Sequence, residues 1–74
     1  MTNYERITGD IGKREIFLLN DFEGCVMRIP RNHGGIYLMK FQGGQEYEIK
    51  YSAKLACDTK FDAKEITKEQ YEKY

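Results

Sequence analysis

From Glu46 to Cys57 polar and apolar residues alternate. Tyr47, Ile49, Tyr51, Ala53, Leu55 and Cys57 fall on one side; Glu46, Glu48, Lys50, Ser52 and Lys54 fall on the other. A pleated strand sends successive side chains to opposite faces, so this pattern predicts a half-buried β-strand with one wet face. Twelve residues at roughly 3.3 Å each reach about 40 Å, longer than the ~30 Å expected across a globule of this size. The segment must therefore bend, with Ser52-Ala53 favoured because the side chains are smallest there, or project beyond the body. A bent strand implies a curled sheet. A projecting strand implies a homodimer formed by sheet extension.

Shorter β-prone runs precede it, punctuated by glycine. Tyr4 to Thr8 is a candidate strand, closed by the Gly9 to Gly12 break. Arg14 to Asn20 contains Ile16-Phe17-Leu18-Leu19, apolar on both faces, and is expected to be the most central strand. Cys25 to Pro30 alternates with Cys25, Met27 and Ile29 on one side and Arg28 on the other; Ile36 to Gln42 places Tyr37, Met39 and Phe41 together with Lys40 opposite. The intervening segments, Asn20 to Gly24, Arg31 to Gly35 and Gln42 to Gln45, read as hairpin turns. Near the C-terminus the period changes. Thr67-Lys68-Glu69-Gln70 is a capping-box pattern, with Ile66 and Tyr71 placed to form a hydrophobic staple. The expectation is one domain over residues 1–74. It is mainly β: a small antiparallel meander of five to six strands, curled or barrel-like and of SH3/OB size, with a short C-terminal helix over 67–74 that needs docking to persist.

Composition narrows the function classes. Twelve Lys plus Arg balance twelve Asp plus Glu, which disfavours a dedicated nucleic-acid binder that works by phosphate neutralisation. No run approaches the ~20 apolar residues of a membrane helix, and Met1 to Asp10 lacks the apolar core of a secretory signal. No membrane association and a cytoplasmic location are the expectations. Cys25 and Cys57, both in apparent strand patterns, are expected to be buried reduced thiols, and a bridge between them stays open. With a single histidine they do not supply an ordinary zinc site. No metal and no cofactor are expected.

Catalytic chemistry finds little to work with. Ser52 is the only serine and falls on the polar face of a strand pattern; His33 is the only histidine and falls in a glycine loop; neither Gly-Gly pair opens a phosphate loop. The sharper feature is charge. Between Glu23 and Glu46 there is no acidic residue, while Arg28, Arg31, His33 and Lys40 lie in that window. Arginine forks suit carboxylate or phosphate, and glycine amides in a turn can form an anion-binding nest.

The chain therefore reads as a non-catalytic protein-binding module, a small accessory or inhibitory protein of the kind phages and other mobile elements encode. It would act by steric blocking through its basic hairpin loop. Arg28, Arg31, Asn32, His33, Lys40 and Tyr37 are the expected partner-binding residues, and the expected partner is a protein with an acidic surface. The alternative is a small nucleic-acid-binding β-barrel using the same loop with strand aromatics as stacking platforms.

Overall fold

In the computed structural model, which describes residues 3–74 with side chains from Ile7 onward, Asp62 excepted, the glycine-punctuated runs become an antiparallel meander. β1 (Ile16–Asn20), β2 (Cys25–Ile29), β3 (Ile36–Phe41) and β4 (Tyr47–Lys50) follow one another across the sheet; β5 (Lys64–Ile66) returns to pair with β1, giving the order β4-β3-β2-β1-β5. All the pairings are antiparallel. The mainly β antiparallel meander expected is present; the sheet is open, with β4 and β5 as its edges, and does not close into a barrel. The middle place belongs to β2, not β1, although both have the double-sided burial of interior strands.

Alternation sorts the strands into two faces. On the first, Ile16, Leu18, Cys25, Met27, Ile29, Tyr37 and Met39 form the main core. Two helices cover it. α1 (Asn3–Asp10) brings Ile7, fully buried, with Ile11 one turn on packing beside it. Burying a side chain such as Ile7 stabilises by about 1.5–3 kcal/mol. This helix replaces the strand expected over Tyr4 to Thr8. Five residues are too few to distinguish a period of 2 from one of 3.6, and the docking of Ile7 and Ile11 decides for the helix. Gly12, at φ +89°, ends it in the left-handed region where glycine costs least.

α2 (Lys54–Asp62) is the larger departure. The alternation from Glu46 holds only through β4; the chain turns over Tyr51 to Ala53, where a bend was expected, but continues as a helix. Residues 45–61 are thus neither one bent strand nor two. Ala56, Thr59 and Ala63, spaced three and four apart, are buried against the first face. That helical spacing coexists in the sequence with the period of 2, and good helix formers (Lys54, Leu55, Ala56) settle the competition. Cys57 accordingly lies on a helix, half-buried, while Cys25 is buried in β2; both are free thiols.

The second face is covered on one side only. α3 (Lys68–Lys73) packs Tyr71 on Phe17 and Val26, with Leu19, Ile66 and Tyr74 around them. The capping box forms as the sequence predicts: Gln70 N–H donates to Thr67 Oγ1 and Thr67 N–H to Gln70 Oε1. α3 thus lies over β1 and β2 and reaches β3 at Lys40, which bonds the Glu72 carbonyl. The radius of gyration is 11.0 Å, with extents of 30 × 25 × 24 Å, so twelve residues of strand had no room. Among the described residues no helix is long and apolar enough to cross a membrane.

Candidate protein-binding surfaces

The six residues expected to bind a partner do not form one site. Arg31 and Asn32 are exposed in the β2–β3 loop. His33, in the same loop, turns inward: its Nδ1 accepts the Gly35 N–H at 2.8 Å, and its ring meets Tyr37 edge-on at 5.1 Å. The Ile36 N–H is taken by the His33 carbonyl. One of the two glycine amides that a nest would aim at an anion, that of Gly35, is therefore spent within the loop, and the first amide of β3 also turns back onto it. Tyr37 lies on the first face, 2 % exposed, with Lys60 over its ring; its aromatic surface is core.

Arg28 and Lys40 do come together, on the second face. They line a groove of about 290 Å³ between α3 and the β3–β4 turn, with Phe17, Glu46, Lys68 and Tyr71. Tyr71 donates its hydroxyl to Glu46, and burial, then that bond, pushes its phenol pKa well above the usual tyrosine range. Lys40 sits over the Tyr71 ring at 4.7 Å and reaches the Glu72 carbonyl. Arg28 lies between Glu46 at 3.5 Å and Glu15 at 3.8 Å, while its buried Nε finds no acceptor among the described residues. These cations are already flanked by carboxylates or by ring and carbonyl, so the groove is mixed in sign rather than basic. Arg14, outside the groove, bridges Asp10 of α1 to Glu65 of β5.

A different region stands out at the opposite end from the basic loop. Among the described residues five large hydrophobic side chains are exposed: Phe22, Phe41, Tyr47, Tyr51 and Phe61. All but Tyr51 lie toward the end of the sheet that holds the β1–β2 and β3–β4 turns. Phe22 tops the β1–β2 turn and is 93 % exposed. Cys25, immediately after that turn, pairs with Phe41 across the ladder, and Phe41 stands nearly parallel to Tyr47 at 6.4 Å.

The turn beneath Phe22 is firmly built. Asn20, buried, accepts the Glu23 N–H on its side-chain oxygen at 3.1 Å and the Gly24 N–H on its carbonyl at 2.9 Å. Its amide nitrogen donates to Thr59 Oγ1 of α2 at 3.0 Å, and Thr59 is fully buried. Burial also pushes the Cys25 thiol pKa up, an effect that Thr59 beside it partly offsets. Gly24, at φ +69°, closes the turn. Sequence reasoning placed a turn here but gave it no binding role. The signal was an aromatic between two acids, Asp21 and Glu23, in a hairpin too tight to fold it inward.

Fold and surface together define a small open-faced antiparallel sheet, backed by helices, with charge and aromatics at its turns. Among solved structures the chain is similar to one in the crystal structure of the complex between the Type VI effector Tas1 and its immunity protein, with a TM-score of 0.74, 28% sequence identity and 82% of each chain covered. No family model and no curated protein matches the chain.

Proposed function

We propose that this protein is an immunity-type inhibitor: a non-catalytic binder that neutralises a Type VI effector by covering a surface the effector needs. The observation that carries this reading is the likeness to a chain of the effector–immunity complex, over most of both chains and at 28% identity. The equal coverage makes the two chains similar in length. The chemistry is compatible. Cys25 is buried in β2 and His33 Nδ1 already accepts the Gly35 N–H, so neither is presented as a nucleophile or as a base through that nitrogen.

A protein partner fits the surface better than a nucleic acid. Glu15 and Glu46 beside Arg28 would repel a phosphate backbone approaching the groove. The test is co-expression with the effector encoded beside its gene. Growth should be restored, and the two proteins should elute from size-exclusion chromatography as one complex. An effector that stays toxic and elutes apart removes the reading.

A further inference from the structure

We infer that the β1–β2 turn is the anchor of partner recognition: Phe22, carried between Asp21 and Glu23, inserts into an apolar hollow on the effector whose rim is lined with Lys and Arg. This rests on the inhibitor reading and adds to it where the effector is held and by what chemistry.

Three observations converge. A lone exposed aromatic is ordinary, but Phe22 shares its end of the sheet with the exposed Phe41 and Tyr47. Aromatic side chains dominate binding energy because they bring large area at low entropic cost. The scaffold is rigid as well: hydrogen bonds from the turn to Asn20, and from Asn20 to Thr59, hold Phe22 from beneath without touching its ring. Ordering is thus largely complete before binding, which lowers the cost of association. The charge identifies the partner. Asp21 and Glu23 are both exposed, and neither has a cation within salt-bridge distance among the described residues. An apolar pocket with an acidic or neutral rim would leave these carboxylates facing like charge or dry surface, whereas a cationic rim pairs them and steers approach. The β2–β3 loop has the opposite character, with its amides and histidine turned onto itself.

The experiment measures binding of the effector encoded beside the gene to wild type, Phe22→Ala, Asp21→Lys/Glu23→Lys and Arg31→Glu. Phe22→Ala deletes a ring already in solvent, so the melting temperature should not move. Its dissociation constant should rise at least about 30-fold, the loss of a hot-spot residue. The double lysine variant should lose about tenfold in association rate and most of the salt dependence, and Arg31→Glu should shift affinity by less than about threefold. Wild-type binding with Phe22→Ala within about threefold of it overturns the surface and leaves the inhibitor reading standing. An Arg31→Glu loss as large as that of Phe22→Ala also overturns it. No wild-type binding removes both. Sedimentation of the protein alone covers the other occupant: a dimer that Phe22→Ala dissolves would make this end a contact between copies and sink the proposal, and a monomer in both supports it.

Discussion

The two turns that flank β2 differ in where their polar groups go. The β2–β3 loop spends its own on itself: His33 accepts the Gly35 amide, the His33 carbonyl accepts Ile36, and the ring leans on Tyr37. The β1–β2 turn is held from below, by Asn20 and through it by α2, so its apex carries no structural duty. The first is basic and looks like a binding loop in sequence; the second is acidic, five residues long from Asn20 to Gly24, and looks like a connector. The lesson is that net charge in a loop says less about availability than the accounting of its hydrogen bonds does.

Removing the clamp should have the largest effect. Asn20→Leu keeps the volume but deprives Thr59 Oγ1 and the Glu23 amide of their partners, one fully buried and the other partly so. A loss of about 2–3 kcal/mol is expected, since each buried group left unpaired costs roughly 1–3. Thr59→Val leaves the Asn20 amide unpaired and takes from the Cys25 thiol the Thr59 hydroxyl beside it, and should cost about 1–2 kcal/mol. Urea denaturation measures both, with the midpoint falling and the slope unchanged. If the two variants melt like wild type, the turn is not held from beneath and the contrast collapses. Asn20 acts by positioning, so Asn20→Leu should also weaken partner binding at temperatures where the protein remains folded.

Alkaline pH probes the same end through a different group. Cys25, next to Thr59, and Tyr71 in the groove both hold their protons more tightly folded than unfolded, mainly through burial. Both are neutral when protonated. Their stabilisation is therefore complete below the unfolded values, about 8.5 for a thiol and about 10 for a phenol, and is lost as pH rises through the higher folded values. Stability should be flat from pH 7 to 8 and decline above that. In Cys25→Ala the decline should begin nearer pH 10; in Tyr71→Phe its upper part should flatten. Denaturation midpoints taken between pH 7 and 11 check this, and unaltered curves in both variants would assign the decline to other groups.

How legible these features were depends on whether a local signal marked them. The β1, β2 and β3 strands announced themselves through Ile16 to Leu19 and the alternations at Cys25 and Tyr37. α3 announced itself through Thr67 and Gln70, whose side chains cap in the structure as the pattern requires. α2 carried no such mark, because Ala53 precedes it and no side chain caps its first turn. Its buried residues Ala56 and Thr59, and Ala63 at its C-cap, are small or polar, so helical spacing was outvoted by the alternation running on from β4. The candidate site was less legible. Arg28 and Lys40 were seen, but Glu15 and Tyr71, which answer them in space, lie 13 and 31 positions away in the chain. The clamp under Phe22 joins residues 39 apart, and no local pattern encodes it.

Backbone strain gives a smaller test of the self-contained loop. Gly35 sits at φ +86°, and a Cβ built there would meet the Tyr51 ring at 3.6 Å, an ordinary contact. Gly35→Ala is thus penalised by its dihedral and not by crowding, and about 1–2 kcal/mol should be lost. The His33 bond to residue 35 uses a backbone amide that alanine retains, so an NMR spectrum should keep the His33 environment. A cost near zero would mean that the loop relaxes freely and that its internal bonds do not constrain it.

The smallest effect is expected from the residue that sequence made most conspicuous. Arg31 is exposed and forms no ion pair among the described residues. Arg31→Glu should change stability by no more than about 0.5 kcal/mol, as surface substitutions away from special features do. If the acidic turn is the one that meets the partner, reversing this charge at the far end of the sheet acts only through the long-range field. A ~30 Å body spans three to four Debye lengths of roughly 8 Å at physiological salt, so the field from one end is largely screened at the other. The effect should be confined to association rate, be visible at low ionic strength and vanish by about 150 mM salt. A persistent change in dissociation rate at 150 mM would instead put Arg31 in direct contact with the partner, and would make the two turns parts of one binding surface.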